Sequence, residues 1–128
     1  MPESNLEIVR CAYDAIMRRD IVTALGFFED GVEAHQSDAL PWGGDFAGKE
    51  QLLDFFTRML GVIEPLLKIE EMFDAGNRIV VIGRAYGRVR VSNAPFDVRL
   101  VHIWCIRDDK IWRFDSYMDT SEMLKSLG

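Results

Sequence analysis

Two histidines are the side chains whose type and position could transfer protons. His35 ends a short predicted strand just before a loop, and His102 is the single polar group on an otherwise apolar strand face. An imidazole titrates near neutral pH, so it can act as a general acid or base without large tuning. Each could instead be structural, because a buried imidazole can simply satisfy a backbone group. The pair favours catalysis only if both rings face one cavity.

Tyr117 and Asp119 are two further polar candidates near the C-terminus. Tyr117 could donate a hydrogen bond to a ligand carbonyl, or it could merely pack. Asp119 lies three residues before Glu122, a spacing that predicts an N-cap for a terminal helix starting near Thr120. Any chemical role for Asp119 therefore competes with capping.

Six large side chains are candidates for a pocket wall rather than for chemistry. Aromatic and methionine side chains at these spacings line a substrate pocket about as often as they form plain core. The six are Trp42, Phe46, Phe55, Met59, Tyr86 and Trp104.

The N-terminal half predicts three helices around a short strand and a loop. Ser4 and Glu7 form a capping box, after which apolar residues recur at helical spacing. Asp20 can cap a second helix, which Asp30 and Gly31 end. The predicted helices span about residues 4–19, 20–28 and 49–62, with a strand at 32–35, a loop at 36–48 and Pro65 after the third helix.

After Pro65 the apolar period changes from 3.6 to 2, which is typical of strands. The predicted strands span about residues 66–73, 78–91, 96–107 and 110–118. Their short connections predict hairpins, hence an antiparallel meander. Gly83 and Gly87 interrupt the second of these strands, where missing side chains permit a bulge or a bend. The sequence therefore predicts a curved sheet.

A curved sheet covered by helices predicts an interior pocket. The concave side of such a sheet is not filled completely, and small ligands bind in cavities of this kind. One face of the third predicted strand is apolar except for His102, and we assign it to the interior: Phe96, Val98, Leu100, His102, Trp104 and Ile106. The opposite face keeps Val101, Ile103 and Cys105, which predicts a homodimer contact.

The composition predicts one ordinary globular domain spanning residues 1–128. The formal net charge of −6 argues against nucleic-acid binding, which needs a clustered positive surface. The sequence has no apolar segment of the roughly 20 residues that span a bilayer, and its N-terminus lacks the pattern of a secretion signal. We therefore expect a cytoplasmic protein. Two distant histidines without ligand spacing predict neither a metal nor a cofactor site.

Two segments carry a resemblance to a known family. They read FFEDGVEAHQSDALPWGGDFAGKEQLLDFF and FDVRLVHIWCIRDDKIWRFDSYMDT. They resemble the SnoaL-like branch of the nuclear-transport-factor-2-like superfamily, which also includes ketosteroid isomerases, limonene-epoxide hydrolases, scytalone dehydratase and non-catalytic binding domains. The resemblance covers nearly the whole chain. It implies an α+β fold, a cone-shaped α+β barrel in which a curved antiparallel sheet wraps around a pocket under three N-terminal helices.

The resemblance also implies roles for single residues. His35 falls where ketosteroid isomerases keep the carboxylate that abstracts a proton, and His102 falls near their oxyanion donor. Ala12 stands at the position of the isomerase tyrosine, so that donor is expected to be absent, and the neighbouring Tyr13 is expected to belong to the helix core. Asp119 corresponds to the acid or base of SnoaL-like cyclases. Ser116 stands where epoxide hydrolases have an aspartate, which argues against that activity.

These residues lead to one hypothesis and two alternatives. The leading hypothesis is a cofactor-independent isomerase, cyclase or dehydratase acting on a hydrophobic carbonyl compound, with His35 as base and His102 or Tyr117 as oxyanion donor. In the second, the same cavity only binds a small molecule and both histidines are structural. In the third, the cavity is filled and the domain serves dimerisation. One fold hosts many functions, so the resemblance leaves these open.

Overall fold

The computed structural model describes residues 4–128, and within them four helices and six strands form one curved sheet with its helical cover. The predicted absence of a secretion signal concerns a segment whose first three residues lie outside the described part. None of the described helices is long and apolar enough to cross a membrane. In chain order the elements are α1 Asn5–Met17, α2 Ile21–Leu25, β1 Phe28–Gln36, β2 Gly44–Ala47, α3 Gly48–Val62, β3 Ile63–Asp74, β4 Arg78–Val89, β5 Pro95–Arg107, β6 Lys110–Met118 and α4 Thr120–Leu127.

Side-chain caps start three of the helices, as their sequences predict. Ser4 Oγ accepts a hydrogen bond from the Glu7 amide at 3.2 Å at the start of α1. The Thr23 amide donates to Asp20 at the start of α2, again at 3.2 Å. Asp119 begins α4 in the same way. These bonds satisfy amide groups that have no partner inside the helix.

The segment between α2 and α3 differs most from the prediction. The second helix ends at Leu25 rather than near residue 28, and β1 starts at Phe28, four residues before the predicted strand. Part of the predicted loop is a strand, β2, which pairs antiparallel with β1. On its other side β1 pairs parallel with β6. These pairings between distant segments outweigh the local preference of Asp30 and Gly31 for a turn.

The remaining strands form the predicted meander. The sheet order is β2-β1-β6-β5-β4-β3, and the last four strands are joined antiparallel by hairpins. Pro65, predicted to follow the third helix, lies inside β3. A proline is tolerated there because β3 is an edge strand of the sheet.

Two glycines let β3 and β4 approach closely and bend. A Cβ atom at Gly83 would lie 2.2 Å from the Lys68 carbonyl oxygen, and one at Gly87 would lie 2.0 Å from that of Glu64. Glu70 is the extra residue of a bulge opposite Gly83, where the register shifts. This curvature, predicted from the glycines, gives the sheet the cone shape of the fold.

The concave face of the sheet is the buried one. The six residues of β5 assigned to the interior are all less than 7% exposed, and Trp104 is fully buried. Helices α1 and α3 pack across this face and supply Tyr13, Phe55 and Phe56. The architecture is therefore α+β, with its helices on the concave side.

Candidate functional site

A cavity lies between the concave sheet face and helices α1 and α3. The volume of this cavity is about 50 Å³. A ligand larger than a few atoms therefore needs side chains at the mouth to move apart. The lining is mainly apolar: Tyr13, Ile16, Met17, Gln36, Phe55, Phe56, Met59, Ile63, Pro65, Leu67, Ala85, Leu100, His102, Trp104, Phe114, Ser116 and Met118.

Three side chains from α1 and β5 form a hydrogen-bond chain at the wall of the cavity. Trp104 Nε1 donates to Tyr13 Oη at 2.9 Å, and Tyr13 Oη lies 2.6 Å from His102 Nδ1. An indole nitrogen can only donate, so Tyr13 Oη keeps its own proton to give to His102. We therefore assign Nδ1 as the acceptor and place the imidazole proton on Nε2.

Burial keeps both ionisable members of this chain neutral. It lowers the pKa of His102 from 6.5 to about 3, because the cavity wall offers little solvation to an imidazolium. Burial also raises the pKa of Tyr13 above its ordinary value, although the hydrogen bond from Trp104 lowers it slightly. His102 is therefore a neutral hydrogen-bond donor at physiological pH rather than a charged group.

Two polar residues of the cavity were not among the predicted site residues. Gln36, at the end of β1, is 1% exposed, and Ser116 on β6 is 4% exposed. The Cα atom of Ser116 is paired with that of His102 across β5 and β6. Within residues 4–128, no hydrogen bond that we find uses Ser116 Oγ or His102 Nε2. The otherwise apolar wall of the cavity therefore has two neighbouring polar groups, Ser116 Oγ and His102 Nε2, that a ligand could contact.

Tyr13 was predicted only as part of the helix core. Its hydroxyl nevertheless reaches the cavity wall and contacts His102, although Ala12 is the residue at the expected tyrosine position. The helical period correctly indicates that Tyr13 is buried. Burial could also have indicated the hydrogen bond, because a tyrosine hydroxyl inside an apolar core needs a partner.

His35 lies on the other face of β1. Successive residues of a strand point to opposite faces, so Gln36 faces the cavity while His35 faces outward. The His35 side chain is 34% exposed and its Nδ1 lies 2.7 Å from Asp45 Oδ1 on β2. Its ring centroid is 6.0 Å from that of Tyr117. The structure therefore does not bring His35 and His102 into one cavity.

Tyr117 and Asp119 also lie away from the cavity. Tyr117 is 49% exposed on the outer face of β6. Asp119 Oδ1 accepts a hydrogen bond from the Glu122 amide at 3.1 Å, which is the predicted cap of α4. Both residues border an open depression on the outer face, together with Glu70 and Arg99. This depression is more open than the cavity, and its lining is more polar.

The six residues proposed for the pocket wall divide into three groups. Phe55, Met59 and Trp104 line the cavity. Trp42 and Phe46 are buried behind its wall, where Phe46 packs on Phe55 with ring centroids 5.1 Å apart. Tyr86 is 41% exposed on the outer face, so its assignment to the wall is wrong. The cause is the pleat of β4, which sends the neighbouring Ala85 inward.

The outer sheet face carries the residues predicted for a homodimer contact. Val101 and Ile103 are half-buried there, and Cys105 is buried beside a register shift in β5. The homodimer stays a prediction. Within residues 4–128, we find no cluster of three or more metal-ligating side chains.

Solved structures with the same fold cover nearly the whole chain. An NTF2-like protein of unknown function from Burkholderia pseudomallei is 28% identical, with a TM-score of 0.90 over 96% of each chain. TerC, co-crystallised with polyporic acid, is 23% identical, with a TM-score of 0.88 over 96% of this chain and 97% of its own. A Catenulispora acidiphila protein with a ketosteroid isomerase-like fold, in complex with trimethylamine, is 20% identical, with a TM-score of 0.84 over 98% and 95%.

A comparison with curated protein sequences finds no significant match. The model of the SnoaL-like domain family matches residues 9–114. This range includes most of α1, all of α3, most of the sheet and the Tyr13, Gln36, His102 and Trp104 side chains. The chain therefore belongs to the SnoaL-like domain family, as its sequence resemblance implies.

Proposed function

We propose that this protein binds a small, mainly apolar carbonyl compound in the cavity, with His102 donating a hydrogen bond to the carbonyl oxygen. The observation that carries the proposal is a neutral, buried imidazole that lines an apolar cavity and whose one hydrogen bond within residues 4–128 uses Nδ1 rather than Nε2. Small-molecule sites combine such apolar walls with few polar groups that fix orientation. The co-crystal of TerC with polyporic acid is consistent with an organic ligand in this fold.

The Trp104–Tyr13–His102 chain prepares the imidazole for this role. Because Tyr13 donates to Nδ1, the proton of His102 stays on Nε2 and the ring is held in one orientation. A hydrogen bond in a poorly solvated cavity is electrostatically stronger than one in water. A carbonyl oxygen placed against Nε2 would therefore be both oriented and polarised.

The same geometry favours binding over proton abstraction. The cavity lining contains no Asp, Glu, Lys or Arg among the described residues. His102, with a pKa of about 3, is a weak base, and His35 lies outside the cavity. A general base works best with a pKa near the operating pH. The binding module is therefore the better-supported hypothesis.

One observation keeps an acid-base enzyme as the second candidate. The Tyr13 Oη and His102 Nδ1 atoms are only 2.6 Å apart, and this hydrogen bond can run in either direction. In the other neutral tautomer the single imidazole proton is on Nδ1 and is donated to Tyr13 Oη, so the Nε2 lone pair would face the cavity and could accept a proton from the carbon beside a carbonyl. This is the isomerase, cyclase or dehydratase chemistry predicted from the sequence.

The binding proposal can be tested with 1-indanone and with indane, the hydrocarbon of similar shape. The sequence has 2 histidines, so their ¹⁵N imidazole resonances are simple to separate. We expect 1-indanone to shift the His102 Nε2 resonance and to leave His35 unchanged, while indane has a weaker effect. A titration in which 1-indanone shifts neither ring, or only His35, would overturn the proposal.

The enzyme candidate has a separate test in D₂O. A base in the cavity would exchange the protons beside the carbonyl of 1-indanone for deuterium faster than buffer alone. Binding without exchange above the buffer rate supports the module. Exchange that is lost in Tyr13→Phe supports the enzyme.

A further inference from the structure

Gln36 is a buried amide of which only the oxygen is hydrogen-bonded. Trp42 Nε1 donates to Gln36 Oε1 at 2.9 Å, and both residues are nearly or fully buried. Because an indole nitrogen only donates, this bond fixes which end of the amide is the oxygen. The Gln36 Nε2 group is then left buried without a partner in residues 4–128. Such a group costs free energy until an acceptor reaches it.

The register of the sheet places this amide beside the other polar groups of the cavity. His35 on β1 is paired with Asp115 on β6, and both strands run in the same direction. Gln36 and Ser116 are the next residues along, so they are neighbours. Ser116 is in turn paired with His102. Gln36, Ser116 and His102 thus form one polar row across three adjacent strands of the cavity wall.

The two outer members of this row present donors from different strands. Two strand spacings separate the backbones of Gln36 and His102 by roughly 10 Å. The Gln36 Nε2 group and the His102 Nε2–H group both donate. A ligand that satisfies each of them directly needs two acceptor atoms at separate positions. The described lining contains no Lys or Arg, and an unpaired anion is costly in such surroundings.

We propose that the cavity selects an uncharged molecule with two carbonyl oxygens, one bound by His102 and the other by Gln36. This inference rests on the proposed function, and it adds Gln36 as a specificity-determining residue and a dicarbonyl compound as the ligand class. The apolar side chains of the wall would contact the ring system between the two oxygens.

A matched pair of probes tests the second carbonyl. N-methylphthalimide has two carbonyl groups, and 2-methylisoindolin-1-one has the same bicyclic frame with one of them replaced by CH₂. We expect wild-type protein to bind the dicarbonyl about fivefold more tightly, the gain of one net hydrogen bond. In Gln36→Met this preference should disappear. Gln51→Met makes the same change at an exposed glutamine and should keep the preference.

The outcomes separate this inference from the proposed function. If 1-indanone also fails to bind wild-type protein, the proposed function fails. If 1-indanone binds but the dicarbonyl is not preferred, the dicarbonyl inference is overturned while the proposed function stands. If Gln36→Met keeps the preference, the role of Gln36 is overturned. Should Gln36→Met not fold, the side-chain amide resonance of Gln36 in wild-type protein decides: N-methylphthalimide must shift it more than 2-methylisoindolin-1-one does. An unmoved resonance would indicate an amide satisfied by Ser116 instead.

Discussion

His102 and His35 lie on opposite faces of the same sheet and differ in almost every physical respect. His102 is 6% exposed, contacts Tyr13, Trp104 and Phe114, and has its pKa lowered by burial. The side chain of His35 is 34% exposed and pairs with an Asp45 carboxylate that is 84% exposed. One ring is held neutral by apolar neighbours, whereas the other is close to solvent and a charge. Residue type alone therefore does not assign a shared function to the two histidines.

The same contrast holds for the two faces of the sheet. On the outer face, charged side chains pair with each other, as Arg113 does with Asp115 and Glu33. On the concave face, the few polar groups are neutral, and His102 and Gln36 each accept a hydrogen bond from a buried side chain. Fixed, poorly solvated groups favour specific ligand contacts, and the concave face provides such groups. Matched substitutions on the two faces should therefore differ in their effects.

The largest expected difference is between two tryptophans. Trp104 is fully buried and stacks on Phe114 with ring centroids 4.2 Å apart. Trp104→Ala should lower the free energy of unfolding by about 3–5 kcal/mol through cavity formation. Trp112 is only half-buried, with the Arg107 guanidinium 4.7 Å from its ring centroid, so Trp112→Ala should cost about 1 kcal/mol or less. Urea unfolding followed by circular dichroism measures both. Equal losses would contradict the contrast between the faces.

The next difference concerns the pH dependence of stability. His102 has a folded-state pKa of about 3, below its ordinary value of 6.5. As the pH falls below 6.5, the unfolded chain takes up a proton before the folded chain does, so stability decreases towards pH 3. Between pH 7.5 and pH 5, this should cost about 2 kcal/mol. Wild type should therefore lose about that much more stability over this range than His102→Gln does.

The control for this pH effect is the outer histidine. His35→Gln should keep the steep loss of stability between pH 7.5 and pH 5 that wild type shows. If His102→Gln and wild type lose stability in parallel over this range, His102 is not held neutral by burial.

The third comparison removes one hydroxyl from each face. Tyr13→Phe leaves the Trp104 indole and the His102 Nδ1 atom without their partner, and should lower the free energy of unfolding by about 1–3 kcal/mol. Tyr117→Phe should change it very little, because that hydroxyl lies on the exposed face and makes no hydrogen bond among the described residues. Chemical unfolding at pH 7.5 compares the two. A cost for Tyr117→Phe as large as that for Tyr13→Phe would disprove the proposed asymmetry.

The sheet was largely predictable because its signals are local. The period-2 pattern after Pro65 correctly predicts four strands and their hairpins, and Gly83 and Gly87 correctly indicate the bend. Strand β2 was missed because Gly44 and Asp45 favour a loop. Its formation depends on pairing with β1, which local sequence does not encode.

The cavity was only partly predictable for the same reason. Strand alternation correctly assigns His102 and Trp104 to the interior. Tyr13 and His102 are 89 positions apart in the sequence, so they come into contact only in the folded chain. Gln36 was assigned to the start of a loop, and its orientation depends on Trp42 folding back to bond its oxygen. Period and spacing along the sequence therefore do not predict the roles of side chains whose partners are distant in the sequence.

The smallest expected effect is that of removing the charge beside His35. Asp45→Asn leaves an oxygen for a hydrogen bond but removes the charge, and the aspartate side chain is 84% exposed. The loss of unfolding free energy should be at most about 0.5 kcal/mol, because surface ion pairs contribute little and salt screens them. Unfolding in low and high salt measures this, and the difference between wild type and variant should shrink in high salt. The substitution should also leave 1-indanone binding unchanged, since His35 and Asp45 lie across the sheet from the cavity. A clear loss of binding in Asp45→Asn would instead couple the outer pair to the ligand, and the separation of the two histidines would no longer explain how the site works.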